Sequence, residues 1–322
     1  MYTCLWINAP KEAYELPNHR FDGELPSYVK RPVMYRYLKE YHLKYGQAAK
    51  VKFNCKVENV TNTAKDKFSV TWVDTAQSDY PQMETFDYVV VAVGHFSVPN
   101  DPIFTNEEKF TGKIIHAHDY RDGRLYKDKR VLLVGGSYSA EDIALQCWKF
   151  GAKYSHITHK NPNRMGFQWP KGVVETETFL KDFDGNKVIF EDGSSEEYDY
   201  VIKCTGKLKH LIVTIASSDP RTIEFIFRVS LNGSKMNDPD QNNTCFLGYI
   251  HHFPFMSEDI LLKTENSFCP ENLYQQCVLL KNPKVFYMGM ANQALSMTIF
   301  QHQSFYIRGM THNKDSIRLV FT

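Results

Sequence analysis

One short stretch restricts the fold of this chain more than any other. It is an apolar strand, predicted over 131–134, that leads directly into the small-residue turn Gly135-Gly136-Ser137-Tyr138-Ser139-Ala140. A helix is predicted over 141–150 and a second strand over 153–158. Strand, tight turn, helix and strand in this order form a βαβ unit, which has a right-handed crossover and belongs to a parallel sheet. The sequence therefore predicts an α/β fold.

The turn has the spacing of a dinucleotide-binding fingerprint, with Gly135, Ser137 and Ala140 in its three small positions. Gly135 lets the chain turn off the strand, Ser137 lets the backbone approach a pyrophosphate, and Ala140 lets the helix pack closely on the strand. The amides of residues 137–140 then open the helix toward the anion. A βα turn without a ligand has a similar sequence, so that alternative stays open. The strands and helix around the turn favour the nucleotide.

The residues after the second strand indicate which nucleotide is bound. A unit of this kind that binds NAD carries Asp or Glu there, whereas this chain has His159 and Lys160. A cation suits the 2′-phosphate of NADP. The sequence therefore predicts NADP(H), with Lys160 at the 2′-phosphate.

Composition argues against several other classes of protein. The 322 residues carry 38 basic and 37 acidic side chains, so no broad electrostatic field indicates a nucleic-acid partner. No apolar run reaches the roughly 18–20 residues of a transmembrane helix, and the start does not resemble a signal peptide. The seven cysteines are scattered without a CxxC pair, which is typical of reduced thiols and indicates no metal site. We expect a cytoplasmic protein.

Further elements are predicted on both sides of the βαβ unit. Strands are predicted over 51–60, 67–73, 88–93, 187–191, 198–204 and 285–290, a helix over 32–45, and a solvated loop over 121–130.

A second pattern, Phe110-x-Gly112-x-x-x-His116-x-x-x-Tyr120, lies just before the βαβ unit. It resembles the FxGxxxHxxx(Y/F) motif that identifies flavin-containing monooxygenases, and all four positions match. Baeyer–Villiger relatives carry Trp followed by Pro or Asp where this chain has Tyr120-Arg121. A lone histidine is more often structural than catalytic, so we expect His116 to tie the linker to the domains without proton chemistry.

Other segments extend the resemblance over most of the chain, toward the trimethylamine monooxygenase branch of the family. They are LWINAPKE at 5–12, AVGHFS at 92–97, MGFQWP at 165–170, CTG at 204–206 with YIHHFPF at 249–255, and GMANQ at 289–293. The resemblance implies a two-dinucleotide-binding-domain (Rossmann-like) flavoprotein fold with an incomplete FAD domain. It also implies FAD and NADP(H) as cofactors, O2 as co-substrate, and a possible homodimer.

The chemistry that the resemblance implies is N- or S-oxygenation of a soft nucleophile such as a tertiary amine. NADPH reduces FAD, and O2 then adds to give a C4a-hydroperoxyflavin. By residue match Asn8 is the catalytic residue beside the flavin. The cofactor-binding residues implied are Trp6, Asn8, Val57, Gly135, Ser137, Tyr138, Ser139, Ala140, Lys160 and Gln293. Ala291 replaces a glutamine of the family's GMQDQ segment.

The sequence departs from the family in three places. We expect the chain to be truncated at its N-terminus, so that it begins after the glycine-rich turn that holds FAD and lacks that turn. Residues 207–248 have no counterpart, and their edges can be encoded as splice sites, so a retained intron and a genuine insertion are the alternatives. The tail 309–322 diverges. The expected domains are a partial FAD-binding domain with linker (1–124), an NADP-binding domain (125–206), the insertion (207–248), a return to the FAD-binding domain (249–308) and the tail.

Two other functions stay open at this stage. The first is a catalytically inactive fragment that binds only NADP(H). The second is a pyridine-nucleotide disulfide reductase, which has a related architecture but needs a closely spaced cysteine pair that this sequence lacks.

Overall fold

The chain forms two compact units in a computed structural model. It describes residues 1–45, 51–76, 78–94, 96, 98–160, 168–205, 249–264, 270–290 and 296–311. Unit 1 comprises Met1–Val98 and Ile250–Thr322, and unit 2 comprises Pro99–Tyr249. The insertion 207–248, Gln293 and the tail beyond Thr311 lie outside the described residues. The assignment of one cofactor to each domain stays a prediction.

The helices and strands have the following bounds. The helices are α1 (Arg31–Lys44), α2 (Tyr138–Lys149) and α3 (Ser296–Thr311). The strands are β1 (Cys55–Asn62), β2 (Phe68–Asp74), β3 (Ser78–Phe86), β4 (Val89–Val91), β5 (Val98–Pro99), β6 (Lys113–His116), β7 (Arg130–Val134), β8 (Tyr154–Thr158), β9 (Val173–Thr176), β10 (Leu180–Asp184), β11 (Lys187–Phe190), β12 (Ser195–Glu197), β13 (Tyr200–Lys203), β14 (Tyr249–Ile250), β15 (Leu273–Tyr274), β16 (Val278–Leu279) and β17 (Val285–Tyr287).

Unit 2 contains a parallel sheet with the strand order β6-β13-β7-β8-β9. The central strand β7 is apolar from Val131 to Val134 and is fully buried there, as expected for a strand covered on both faces. Helix α2 connects β7 to β8, which confirms the predicted βαβ unit. The helix begins three residues earlier than predicted because Ser137 takes the N-cap position.

A second, antiparallel sheet in unit 2 has the order β10-β11-β12. Gly185 and Gly193 lie in its two turns, both with positive φ. Phe183, Val188 and Phe190 from this sheet share one apolar cluster with Leu132 and Val134 of the parallel sheet. The predicted hairpin strand over 187–191 is therefore confirmed as β11.

Unit 1 contains the antiparallel sheet β1-β2-β3 and the mixed sheet β15-β16-β17-β4. Strand β4 pairs in parallel with β17, and all three of its valines are buried. Strand β3 is absent from the predicted elements, because Pro81 interrupts a polar sequence. Proline is compatible with the edge of a sheet, where its missing N–H is not needed, and β3 is an edge strand among the described elements.

One predicted feature is wrong. The stretch 121–130 is more than a solvated loop: it contains a short 3-10 helix, Gly123–Tyr126, and Tyr126 is buried against Tyr120 and Tyr200. The charged residues of 121–130 led to the prediction of a solvated loop, although Tyr126 among them is buried. Helix α3 continues through Thr311, past the point at which the tail diverges in sequence, and the origin of that tail stays a prediction. No helix in the described part of the chain is long and apolar enough to cross a membrane.

Candidate functional site

The turn after β7 can be formed only by glycine at position 135. Gly135 has φ +128°, and its amide donates to the carbonyl of Thr158 over 2.8 Å. A Cβ atom at this position would lie 2.4 Å from the carbonyl oxygen of Cys204. Residues with a side chain rarely adopt this φ, and the Cys204 oxygen belongs to the backbone and cannot rotate away. Gly135 thus brings the chain across the end of β13 and into the helix.

Helix α2 begins directly after this turn with its first amides directed away from the helix. Ser137 is the N-cap residue, and its side chain makes no capping hydrogen bond. The amide of Ala140 donates to the Ser137 carbonyl over 2.9 Å, whereas the amides before it in the first turn have no acceptor within their own helix. Ala140 is fully buried, whereas Tyr138 is exposed. The arrangement can bind an anion at the helix N-terminus, although Glu141 adds a carboxylate to the same turn.

Lys160 lies at the same edge of the sheet, immediately beyond β8. Strand β8 is the parallel neighbour of β7, with Thr158 opposite Val134. The Lys160 ammonium forms an ion pair with Glu191 and lies 5.0 Å from the centre of the Phe179 ring. The structure therefore brings the predicted turn and the predicted cation to adjacent strand ends.

His159 is held quite differently from its exposed neighbour Lys160. It is buried, and its Nε2 lies 2.8 Å from Oε1 of Glu175. The other carboxylate oxygen of Glu175 accepts from the indole N–H of Trp169. Sequence reasoning missed Glu175, Trp169 and Glu191. They lie 6 to 31 residues from their partners, and no local pattern could have indicated the pairing.

The first half of the Phe-Gly-His-Tyr motif packs into unit 2. Phe110 is buried, with its ring centre 5.1 Å from that of Phe183. A Cβ atom on Gly112 would lie 2.6 Å from the carbonyl oxygen of Asp199 and from the Phe110 ring. Gly112 therefore lets β6 approach the start of β13, its parallel partner.

The second half of the motif is also buried in unit 2. His116 Nδ1 accepts the His118 amide over 3.0 Å, and its ring meets Tyr249 edge-on at 5.6 Å. Burial lowers the pKa of His116, which favours the neutral ring. The Tyr120 hydroxyl donates to Gln146 of α2 over 3.3 Å, and burial raises the pKa of Tyr120. These contacts support the expectation of a structural role for His116, which stays a prediction.

Trp6 and Asn8 lie in unit 1 on a segment fixed by backbone pairing. The amide of Ile7 donates to Val29 over 3.0 Å, and Trp6 is 43 % exposed beneath the Lys30 ammonium. Asn8 is exposed, and its Oδ1 accepts from the Tyr14 hydroxyl over 2.6 Å. Because the oxygen is engaged, the amino group of Asn8 supplies the free donors of this side chain.

Val57 contributes its side chain to the core of unit 1 and not to a surface. It is buried opposite Trp72 in the β1–β2 ladder. The register of that ladder shifts between Val57 and Asn59, which is the mark of a β-bulge. A ligand contact at Val57 would therefore involve its backbone. Among the described residues, no group of three or more His, Cys, Asp or Glu side chains could hold a metal ion.

Comparison with known proteins identifies the family of this chain. The family model described as flavin-binding monooxygenase-like matches residues 1–166, slightly more than half of the chain. The chain belongs to this family. Family members are enzymes, so its ancestry is enzymatic, and the predicted family is confirmed.

Individual members of the flavin-binding monooxygenase-like family align with most of the chain. Trimethylamine monooxygenase of Pelagibacter ubique (strain HTCC1002) is 37 % identical over 98 % of this chain and 61 % of its own length. Senecionine N-oxygenase of Tyria jacobaeae is 28 % identical over 74 % of this chain and 53 % of its own length. The chain thus spans about three fifths of the length of the first of these relatives.

A solved flavin monooxygenase structure confirms the predicted fold class. The crystal structure of Tmm from Pelagibacter sp. strain HTCC7211 matches with a TM-score of 0.79 and 36 % identity. The match covers 98 % of this chain and 62 % of that chain.

Proposed function

We propose that this chain is an FAD- and NADPH-dependent monooxygenase that oxygenates nitrogen or sulfur in small soft nucleophiles, tertiary amines first among them. The observation that carries the proposal is the similarity to trimethylamine monooxygenase along nearly the whole chain. Similarity to senecionine N-oxygenase of Tyria jacobaeae supports the same class of reaction. Trimethylamine is therefore the substrate to test first.

The NADP(H) part of the proposal is supported by unit 2. The turn at Gly135 delivers the first amides of α2 to the edge of the parallel sheet, where a pyrophosphate would be bound. Ser137, Tyr138 and Ser139 would contact the phosphates and ribose, and Lys160 the 2′-phosphate. These residues fit the nucleotide, since Ala140 leaves the helix close to the strand and Lys160 supplies the cation.

The FAD part of the proposal is supported by the family and by residues of unit 1. Bound flavin would supply the electron transfer and the activation of O2. Asn8 would offer its amino group to the flavin, because Tyr14 already occupies its oxygen. Trp6 would contact the nicotinamide nucleotide, Val57 would contribute backbone to the adenine end, and Gln293 is the proposed flavin-side residue near the C-terminus.

The test begins with the visible absorption spectrum of the purified chain. We expect flavin absorption near stoichiometric content and NADPH oxidation that forms trimethylamine N-oxide. Asn8→Ala should reduce N-oxide formation, whereas Asn186→Ala, in an exposed hairpin turn, should not.

Two other results would contradict the proposal in different ways. A colourless chain that still binds NADP+ would refute the monooxygenase and favour a nucleotide-binding protein. A chain that binds neither flavin nor NADP+ would refute both parts.

A further inference from the structure

We propose that Glu191 competes with the 2′-phosphate of the nucleotide for Lys160, and so reduces the preference of this chain for NADP(H) over NAD(H). The inference rests on the proposed nucleotide site at the Gly135 turn and identifies a specificity-determining residue within it. Sequence alone assigns only the cation, and the structure adds the carboxylate that occupies it.

The geometry holds Glu191 beside Lys160 through the backbone as well as through charge. The amide of Glu191 donates to the carbonyl of Phe179 over 2.9 Å, and the Phe179 ring lies beneath the Lys160 ammonium at 5.0 Å. Phe179 therefore touches both partners of the ion pair. The carboxylate is thus fixed to the same local structure as the cation.

The residue before Lys160 is fixed by hydrogen bonds. The amide of the preceding residue, His159, donates to Thr176 over 3.2 Å, and its buried ring is paired with Glu175. Lys160 follows in an exposed position at the carboxyl end of β8. Side chains at this position read the 2′ position of the ribose in βαβ dinucleotide sites. A ligand that recruits Lys160 must therefore draw it away from Glu191.

The surroundings add further negative charge. Glu177, Glu191 and Asp192 line one cleft of about 500 Å³, together with Thr176 and Thr178. Hydrogen bonds from the side chain and backbone of Ser194 lower the pKa of Asp192, which keeps that carboxylate ionised at neutral pH. The negative charge of this cleft weakens binding of the charged 2′-phosphate and has little effect on the uncharged 2′-hydroxyl.

The consequence is a change in specificity upon removal of the carboxylate. Glu191→Gln frees Lys160 and removes one negative charge a few ångströms from the phosphate. At an ionic strength of about 0.05 M we expect NADP+ to bind about five- to tenfold more tightly, with a smaller gain at about 0.5 M because salt screens exposed charges. Binding of NAD+ should change less than twofold.

The experiment is calorimetric titration of the 322-residue chain with NADP+ and with NAD+. The variants are Glu191→Gln, Lys160→Gln and the control Glu58→Gln. Glu58 pairs with Lys56 at 3.5 Å on the surface of unit 1, so the control removes the same charge from a comparably exposed lysine–glutamate pair. Lys160→Gln should weaken NADP+ binding and leave NAD+ binding unchanged. Glu58→Gln should alter neither.

The outcomes separate this inference from the proposed function. If the unmodified chain binds NADP+ and Glu191→Gln binds it no more tightly, or more weakly, the competition is refuted while the nucleotide site stands. If NADP+ and NAD+ both tighten equally in Glu191→Gln, the effect is not specific to the 2′-phosphate and the inference is again refuted. If the unmodified chain binds neither nucleotide, the proposed function fails and this inference fails with it.

Discussion

Replacement of Gly135 by alanine tests whether the turn after β7 is built as the structure indicates. Two costs add at this position. A residue with a side chain held at φ +128° costs roughly 1–3 kcal/mol. The new Cβ atom would lie 2.4 Å from a backbone oxygen, and forcing an atom into a filled site costs roughly 1–3 kcal/mol more. We therefore expect Gly135→Ala to lower the free energy of unfolding of unit 2 by about 4 kcal/mol.

The matched control is Gly185→Ala in the β10–β11 turn of the same unit. Gly185 also has a positive φ, of +61°, but no atom lies within 4 Å of its added Cβ. Only the conformational cost applies, and it is about 1–2 kcal/mol. The difference of about 2–3 kcal/mol between the two variants then reports the contact with Cys204 together with the additional strain of φ +128° over φ +61°.

Hydrogen exchange of the β7 and β13 amides, read by mass spectrometry, measures this quantity within unit 2. It reports the free energy of opening for each region separately, which suits a chain with two units. A large share of the typical 5–15 kcal/mol of stability would be lost in Gly135→Ala. Equal destabilisation by the two substitutions would refute the steric argument, and the proposed path of the turn with it.

Three further predictions concern buried polar groups. Burial lowers the pKa of His156 to about 4, below the roughly 6.5 of an unfolded chain, so stability should be full above pH 6.5 and fall by about 3 kcal/mol as the pH drops to 4. In His156→Phe, the free energy of unfolding measured by urea denaturation should change less between pH 6.5 and pH 4. Lys203→Met should cost about 3–5 kcal/mol in urea denaturation, because it removes the buried cation that pairs with Glu107 at 2.8 Å and with Asp101 at 3.0 Å. Lys67→Met, on an exposed pair, should cost under about 1 kcal/mol. Tyr287→Phe should cost about 1–3 kcal/mol in thermal denaturation, since the hydroxyl bridges two buried backbone groups.

The βαβ unit was predictable because its determinants are local. An apolar run, a glycine and a helix-compatible stretch follow one another without interruption over 131–150, and each one independently favours the same structure. The need for glycine at position 135, where the chain turns off the strand, was also predictable. Its second constraint, the oxygen of Cys204, was not, because it comes from a strand about 70 residues away in sequence.

The environment of Lys160 shows what the sequence could not provide. The cation itself is visible at the end of a predicted strand, but its partner Glu191 is placed by the register of another sheet. The turn at Gly185 sets the register within this hairpin, but the sequence does not indicate that the hairpin packs beside the end of β8. Strand β3 was missed for a similar reason, since its pairing with β2 outweighs a polar sequence and a proline.

The division of the chain into units also determines the order in which its parts can fold during synthesis. Unit 2 is a continuous stretch, so all of its strands leave the ribosome together. The parallel pair of strands in unit 1 is completed only when β17 emerges, because Val89 of β4 pairs with Val285. Until then the three consecutive valines of β4 form a strand without its partner, and such strands pair with other chains. Translation speed between β4 and β17 is therefore expected to govern the yield of this protein more than the stability of either finished unit.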